Sequence, residues 1–295
     1  VRKREDLGRI IKEAFYIANT GKKGPVLVDL PKDVMLEEGD DLYPKEVNIR
    51  GYKPSKGVHM GQLKKAISLL KEAEKPLFLM GGGVNIARAN PEALALAEAT
   101  GIPVITTIMG KGALPTNHPL YVGNVGMHGC YAANHAISEC DVLFSIGTRF
   151  NDRITGKIEE FAKNAKIVHI DIDTASISRN IQVDIPIVAD AKEAMGAMLK
   201  HVKNWENKEW LAQIQGWKKE HPLDMRSDKG ITPEKIIKCM NEQFEEAIVV
   251  TDVGQHQMWV TQYLEMDEKK KLLTSGGLGT MGYGLPAALG AQFAY

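Results

Sequence analysis

The sequence predicts an α/β protein with a parallel, doubly wound central sheet. Over residues 59–204, short apolar runs alternate with segments of helical periodicity, an order typical of parallel strands joined by helical crossovers. The apolar runs show no strict polar–apolar alternation, which indicates strands covered on both faces. Glycine-rich turns follow several of these runs, at points where the backbone can approach a ligand closely.

Changes in composition along the chain predict its domain organisation. The predicted segments are the end of an α/β domain (1–36), a polar linker (37–58), the central domain (59–204), a second linker (205–230) and the start of another α/β domain (231–295). The chain begins with Val1, and its last helix-like stretch carries no stop signal. We therefore expect an internal part of a longer protein.

The individual elements follow from the same patterns. Strands are predicted for the apolar runs at 76–80, 102–108, 141–147, 166–173 and 185–190. Helices are predicted at 62–73, 91–100, 131–140 and from 191 to about Val202.

The last third of the chain starts with a tryptophan-containing, charged stretch. Trp205, Trp210 and Trp217 lie among many Lys and Glu residues, which predicts a linker helix lying on a surface. Thr232 followed by Pro233 is a helix start signal, and a strand is predicted at 247–254.

Composition argues against several classes of function. Lys plus Arg and Asp plus Glu both number 37, so the chain lacks the basic surplus of a nucleic-acid binder. No apolar window approaches the roughly 18 residues of a membrane span, and no secretory signal is present. Cys130, Cys140 and Cys239 have no metal or disulfide spacing, which favours free thiols in the cytoplasm.

Three consecutive glycines, Gly81–Gly83, follow the predicted strand at 76–80. Glycine lets the backbone approach a phosphate, and a helix N-terminus favours the anion; a tight turn without a ligand is the plain alternative. Ile86 stands where the dinucleotide fingerprint has its third glycine, and no acid ends the next strand. A site for hydride transfer from NAD is therefore disfavoured.

Polar side chains follow the later strands. Arg149, Asp171, Asp173 and Asp190 each come at or just after a strand end, where open α/β sheets bind ligands. Carboxylates there accept hydrogen bonds from ribose or adenine, and arginine pairs with phosphate. A helix cap or a surface ion pair explains any one of them equally well, but their agreement favours a nucleotide site.

Met127 and His128 stand between glycines before the helix at 131–140. This placement indicates close contact with a flat ligand. A single histidine is more often a hydrogen-bonding residue than a base, so we interpret His128 as a cofactor contact.

A second glycine-rich motif lies near the C-terminus. The strand at 247–254 is followed by Gln255 and His256, whose side chains can donate hydrogen bonds to a diphosphate. Residues 275–291, "SGGLGTMGYGLPAALGA", offer an almost bare backbone apart from Met281 and Tyr283. Small residues suit a bulky cofactor pressed against the main chain, although a simple turn before a helix is the alternative.

These motifs together resemble the catalytic subunit of acetohydroxyacid synthase (acetolactate synthase), a thiamine diphosphate enzyme. "TDVGQHQMW" (251–259) and "TSGGLGTMGYGLPAALGA" (274–291) are similar to the start of its diphosphate-binding domain. The stretches 126–157 and 169–191 resemble its FAD-binding, DHS-like central domain. "GPVLVDLPKDV" (24–34) resembles the end of its pyrimidine-binding domain.

The resemblance implies a reaction and its cofactors. Enzymes of this family decarboxylate pyruvate and join the two-carbon unit to pyruvate or 2-oxobutyrate, in branched-chain amino acid biosynthesis. They use thiamine diphosphate, Mg²⁺ and an FAD without net redox chemistry. A homodimer or homotetramer, a small regulatory subunit and a cytoplasmic location are also implied.

The resemblance also implies roles for individual residues. The implied FAD contacts are Gly82, Gly83, Thr107, Met127, His128, Gly147, Arg149, Asp171, Ile172 and Asp190. The implied thiamine diphosphate contacts are Gly254, Gln255 and His256 at the diphosphate and Gly279 and Met281 at the aminopyrimidine. Arg153 would face the carboxylate of a 2-oxoacid.

The resemblance assigns neither a catalytic residue nor a metal ligand within this chain. The family's glutamate would lie before Val1 and its Mg²⁺ motif beyond Tyr295, so the chain alone is expected to be inactive. Cys130 and Thr174 stand where the family usually has Thr and Pro.

Two other functions remain open. One is a sister carboligase or decarboxylase acting on glyoxylate or sulfoacetaldehyde, which "RFNDRITG" and "GQHQMW" disfavour. The other is a non-catalytic nucleotide-binding module that shares only the central fold.

Overall fold

The computed structural model describes residues 1–40, 42–54, 57–225 and 230–295, which form two compact units, Val1–Lys56 and Gly57–Tyr295. The α-helices are α1 Leu7–Asn19, α2 Lys32–Leu36, α3 Met60–Glu72, α4 Gly82–Ile86, α5 Asn90–Thr100, α6 Tyr131–Glu139, α7 Asp152–Thr155, α8 Ala191–Met198, α9 Lys208–Glu220, α10 Pro233–Gln243, α11 Gln255–Tyr263 and α12 Gly284–Ala294. The strands are β1 Pro76–Met80, β2 Val104–Thr106, β3 Tyr121–Asn124, β4 Val142–Ile146, β5 Lys166–Asp171, β6 Ile185–Val188, β7 Ile248–Thr251 and β8 Lys271–Thr274. Short 3-10 helices cover Arg4–Asp6, Ile108–Gly110, Ile158–Glu160 and Thr174–Ser176.

The first unit contains α1 and α2 and little core. Of its described residues, only Val34 is a buried apolar residue. The apolar run at 24–31 forms neither helix nor strand, and Leu27 is 89% exposed. A strand needs a neighbour to satisfy its backbone groups, and the described part of this unit contains none.

The second unit is built on a six-stranded sheet in the order β3-β2-β1-β4-β5-β6. Every pair of neighbouring strands is parallel, so the predicted doubly wound sheet is confirmed. Residues of β1 alternate between two buried clusters: Phe78 belongs to one, Leu77 and Leu79 to the other. Both faces are therefore covered, which explains why the strands lack polar alternation.

The strand order places a topological switch point between β1 and β4. The chain continues from β1 to β2 and β3 on one side and from β4 to β5 and β6 on the other. The two connections diverge at the carboxyl ends of β1 and β4, and the crevice between them is where such sheets bind ligands.

Helix α9 is anchored to the central domain more firmly than a surface linker requires. Trp210 is 3% exposed, and its Nε1 donates a hydrogen bond to the Pro76 carbonyl at 3.0 Å. Ile214, one turn further on, is also buried. The assignment of 205–230 as a linker stays a prediction, and residues 226–229 lie outside the described residues.

The C-terminal part of this unit holds α10, the parallel pair β7–β8, α11 and α12. Thr232 caps α10 by accepting a hydrogen bond from Lys235 N at 3.3 Å, which confirms the predicted helix start. This part is tied to the central domain by Thr116 and Met266. Thr116 N donates to the Met266 carbonyl at 2.8 Å, and Met266 N donates to Thr116 Oγ1 at 2.9 Å.

Within the described ranges, no helix combines the length and the apolar character that crossing a membrane would demand.

Candidate functional site

The residues predicted to contact a nucleotide all lie along the carboxyl edge of the central sheet. They are Gly82 and Gly83 after β1, Thr107 after β2, Met127 and His128 after β3, Gly147 and Arg149 after β4, Asp171 and Ile172 at the end of β5 and Asp190 after β6. Because all six strands are parallel, these ends meet at one edge. The structure thus brings the residues to one edge, while their roles stay predictions.

Glycines bring the turns after β1 and β4 into backbone contact at the switch point. Gly83 N donates a hydrogen bond to the Gly147 carbonyl at 3.0 Å, and Gly81 N to the Ile146 carbonyl at 2.9 Å. A Cβ on Gly83 would lie 2.6 Å from Gly147 Cα, and Gly147 has φ +65°. Packing between the turns therefore requires these glycines, whether or not a ligand also does.

Asp190 and Asp171 hold their own turns. Asp190 caps α8, its Oδ1 accepting from Lys192 N at 2.9 Å and Glu193 N at 3.2 Å. Asp171 is 8% exposed and accepts from Asp173 N at 2.8 Å. The helix-cap interpretation is thus correct for Asp190, and the fixed carboxylate still lies at the edge where a ligand would bind.

Thr107 also has a structural role. Its Oγ1 accepts a hydrogen bond from Gly110 N at 3.1 Å and caps the 3-10 helix after β2. Asn85 Nδ2 of α4 donates to the Met109 carbonyl of that short helix at 2.9 Å. The turns after β1 and β2 are therefore joined side by side.

A buried polar network below Arg149 was not anticipated from the sequence. His169 is fully buried, and its Nε2 lies 2.8 Å from the Thr148 carbonyl. Burial lowers the pKa of His169 to about 4, so the ring is neutral and Nε2–H donates. Thr148 Oγ1 lies 2.5 Å from Ser145 Oγ. These bonds fix the turn that carries Gly147 and the exposed Arg149.

The only sequence signal for this network was His169, which stands between apolar residues in β5. That signal shows that a polar partner is needed but not which one it is.

Met127 and Arg153, predicted for flavin and substrate, lie next to each other. Met127 N donates a hydrogen bond to the Arg153 carbonyl at 2.9 Å, and Arg153 Nη1 lies 4.0 Å from Met127 Sδ. The Met127 side chain is 64% exposed, and that of Arg153 is 66% exposed. His128 is exposed too, and its carbonyl accepts from Gln262 Nε2 of α11 at 3.0 Å.

The predicted diphosphate contacts form the N-terminus of α11. Gly254 has φ +148° and precedes the exposed Gln255 and His256 in the first turn. The first N–H groups of a helix lack intrahelical partners, and the helix dipole is positive there. Such an end suits an anion.

Asp252 ties the glycine-rich loop to the end of β7. Its Oδ1 accepts from Val253 N at 2.7 Å and Gly282 N at 3.0 Å, and its Oδ2 from Gly284 N at 2.8 Å. Hydrogen bonds from Gly284, Val253 and Gly282 lower the pKa of this carboxyl. The sequence showed Asp252 at the strand end, but only the fold reveals that it holds the loop.

The loop itself uses backbone conformations that favour glycine. Gly279 and Gly282 have φ of +78° and +84°, which other residues adopt only with strain. Between them Met281 is 82% exposed. The loop thus presents two apolar side chains, Met281 and the 89% exposed Leu278, from an otherwise glycine-rich backbone.

The glycine-rich loop approaches the carboxyl edge of the central sheet. A Cβ on Gly276 would lie 3.0 Å from Ile108 Cδ1, and a Cβ on Gly277 would lie 3.6 Å from Arg149 Nη2. The two candidate cofactor surfaces are therefore neighbours in one unit.

The described part of the chain contains no cluster of three or more His, Cys, Asp or Glu side chains able to hold a metal ion.

Family comparisons agree with this geometry. A model of the thiamine pyrophosphate enzyme central domain matches residues 63–198, and one of the C-terminal TPP-binding domain matches residues 252–295. The chain belongs to the thiamine pyrophosphate enzymes.

Its relatives within that family share one activity in their names. The chain is 47% identical over 308 residues to a probable acetolactate synthase large subunit of Methanocaldococcus jannaschii, covering 100% of the chain and 52% of that protein. It is 44% identical to the acetolactate synthase large subunit of Cyanidium caldarium (100% and 52%). It is 43% identical to an acetolactate synthase of Mycobacterium leprae (100% and 48%). The chain spans about half the length of the curated relatives it matches. The predicted resemblance is confirmed.

Proposed function

We propose that this chain is part of the large subunit of an acetolactate synthase. The enzyme would decarboxylate pyruvate and join the two-carbon unit to a second 2-oxoacid, either pyruvate or 2-oxobutyrate. The observation that carries the proposal is the 47% identity to a probable acetolactate synthase large subunit, which extends over the whole chain and includes both candidate cofactor surfaces. The products would serve branched-chain amino acid biosynthesis in the cytoplasm.

Thiamine diphosphate would be held by the C-terminal part. The N-terminus of α11, with Gly254, Gln255 and His256, suits the diphosphate because its N–H groups and dipole favour an anion. Gly279 and Met281 would support the aminopyrimidine. When bound, thiamine diphosphate supplies the electron sink for decarboxylation. The chain itself contributes a loop that Asp252 holds in place through Gly282 and Gly284.

FAD would lie along the carboxyl edge of the central sheet, with a structural role. Two features support this: the glycines at the β1–β4 switch point and the fixed carboxylates of Asp171 and Asp190. Arg149 is exposed at the same edge and suits a phosphate.

Arg153 would bind the carboxylate of a 2-oxoacid. Its guanidinium is largely exposed next to Met127, a predicted flavin contact. A planar guanidinium matches a carboxylate with two hydrogen bonds. The substrate would thus be bound close to the flavin surface.

Mg²⁺ and the subunit partners complete the proposal. Mg²⁺, proposed from the family resemblance, would supply positive charge that offsets the charge of the diphosphate. A homodimer or homotetramer, and a small regulatory subunit, are proposed from the family resemblance.

Acetolactate formation by the natural protein that contains this sequence tests the proposal. Colorimetric assay of product from pyruvate, with and without thiamine diphosphate and Mg²⁺, should show activity that depends on both. Glyoxylate and sulfoacetaldehyde should be poor substrates. Efficient turnover of either, with none of pyruvate, would overturn the proposal in favour of a sister carboligase.

The 295-residue chain should show no carboligase activity by itself. It should nevertheless retain flavin absorption after FAD is added and the sample is desalted. Arg149→Met should lose much of that absorption, whereas Arg50→Met, in the first unit, should not.

A further inference from the structure

A cavity of about 300 Å³ lies outside the edge strand β3, bounded also by α9 and the end of α11. Part of its wall is apolar, with Val122, Leu223 and Leu264 among the lining residues. None of the residues predicted for flavin, thiamine diphosphate or substrate lines it. The cavity therefore shares no lining residue with the predicted cofactor contacts, although Gln262 of its wall donates a hydrogen bond to the His128 carbonyl.

The cavity contains a buried lysine, Lys111. Lys111 is only 4% exposed, and the opposing charges that act on its ammonium are those of Cys130 and Glu265, both at the cavity wall. Burial lowers the pKa of Lys111 to about 7. A buried ammonium is unfavourable unless an anion accompanies it.

Other basic groups line the same cavity. Lys218 Nζ donates a hydrogen bond to the Tyr121 carbonyl at 3.1 Å, and burial lowers its pKa too. His221 lies at the wall, its ring 3.9 Å from that of Tyr131. Glu265 is the one carboxylate among the lining residues, and it is exposed. The lining thus carries more basic than acidic groups.

We propose that this cavity binds a small organic anion whose carboxylate or phosphate pairs with Lys111 and is supported by Lys218. A volume near the lower end of the range for ligand pockets, about 300–1,000 Å³, suits a molecule of few atoms. The partly apolar wall favours a ligand with a short hydrocarbon part beside its charged group. The inference goes beyond the proposed function, because no cofactor residue takes part.

Binding should be coupled to proton uptake. At pH 8 the ammonium of free Lys111 is largely deprotonated, since its pKa is about 7. An anion stabilises the charged form and so raises that pKa. Binding of each anion should therefore be accompanied by uptake of about one proton from the buffer by Lys111.

The test is isothermal titration calorimetry of the 295-residue chain at pH 8, in two buffers of different ionisation enthalpy. Inorganic phosphate and butyrate are the two probes. A saturable response to either, with proton uptake, is expected. Tighter binding of one probe would show whether the cavity prefers phosphate or carboxylate.

Lys111→Met should weaken binding about tenfold or more and abolish the proton uptake. Lys200→Met, on an exposed lysine, is the matched control and should leave both unchanged. Lys111→Met should remain folded, because it replaces a desolvated amine by an apolar chain of similar length. Lys218→Met, with circular dichroism as the check of folding, should also weaken binding.

Equal binding by Lys111→Met and the unaltered chain would overturn the proposal, as would no saturable binding of either probe. Should Lys111→Met fail to fold, unchanged binding by folded Lys218→Met would overturn it equally. Flavin retention by Lys111→Met should match that of the unaltered chain. The anion-binding proposal can therefore fail without the proposed FAD site failing, and the two results are distinguishable.

Discussion

The turns after β1 and after β8 both follow a parallel strand and are rich in glycine, yet they are held in different ways. All five residues of β1 are buried, between two clusters that cover both faces of the sheet. In β8 only Thr274 is buried, and the core cluster of this part consists of Ile237, Val260, Leu264 and Met266. The first turn is thus fixed by packing, whereas the second depends on the hydrogen bonds of Asp252.

This difference predicts which substitutions would disrupt each candidate surface. At the switch point a single added methyl group meets backbone atoms that cannot move aside. In the glycine-rich loop a Cβ on Gly282 would meet nothing within 4 Å, but the loss of the Asp252 carboxylate leaves Gly282 N and Gly284 N without their acceptor. In helix α12, which follows the loop, Leu285 is 73% exposed and Phe293 is 92% exposed.

The largest expected effect is that of Gly147→Ala. Its methyl group would lie 2.6 Å from Gly83 Cα, at a φ of +65°. Overpacking and a left-handed backbone together should lower the free energy of unfolding by about 3 kcal/mol or more. Urea denaturation followed by circular dichroism measures this.

Gly196→Ala, inside α8, is the matched control. A Cβ there meets nothing within 4 Å, so the change should be neutral or stabilising by about 1 kcal/mol. A tolerated Gly147→Ala would show that packing does not fix the first turn.

A pH-dependent loss of stability should come from His169. Its folded pKa is about 4, and its unfolded pKa is about 6.5. Between those values the unfolded chain binds more protons, so stability should fall as the pH drops from about 6.5 to about 4. The full difference corresponds to roughly 3 kcal/mol.

His169→Gln should flatten this part of the stability–pH curve, because glutamine keeps an N–H donor without titrating. His201→Gln, at an exposed position, should leave the curve as it is. Urea midpoints at pH 4.5, 5.5 and 7 provide the measurement, and an unchanged curve in His169→Gln would contradict the assignment.

Asp252→Ala should loosen the glycine-rich loop without disturbing the central sheet. Gly282 N and Gly284 N lose their acceptor, and their amide exchange should accelerate about tenfold. Asp252→Asn keeps one acceptor oxygen and should be intermediate. Hydrogen-exchange mass spectrometry of peptides from 275–284, with those from 141–147 as the internal reference, tests this. Equal acceleration in both peptides would mean that the two turns are one cooperative unit.

The smallest expected effect is that of Trp210→Phe in α9. It removes the hydrogen bond to the Pro76 carbonyl but keeps an aromatic ring in the core. The free energy of unfolding should fall by about 1 kcal/mol. Trp205→Phe, whose side chain is only partly buried, should change it less. A larger effect of Trp205→Phe would show that α9 is held from its N-terminal side instead.

Much of the central sheet was predictable because its strands are buried on both faces and read as plain apolar runs. The strand β3 was missed because it is short, lies at the sheet edge and contains Gly123 and Asn124. Helix α11 was missed because "QHQMWVTQY" (255–263) has little helical periodicity. In α9 the many charges suggested a surface helix, although Trp210 and Ile214, four residues apart, form a buried face.

The position of the candidate site was predictable from the sequence. The hydrogen bonds that hold its turns in place were not. Strand ends of a parallel sheet share an edge, so the placement of Arg149 and Asp190 followed from topology alone. The support of the turns by His169 and Asp252 depends on atoms more than 20 residues away in sequence, which local patterns do not encode.

The paired hydrogen bonds between Thr116 and Met266 join residues 150 positions apart. Closing a flexible loop of that length costs about 4 kcal/mol in chain entropy. This cost exceeds the stabilisation that two such hydrogen bonds provide. The bonds therefore become favourable only after the intervening sheet has folded and shortened the loop. We therefore expect the central sheet to fold before the C-terminal part docks onto it.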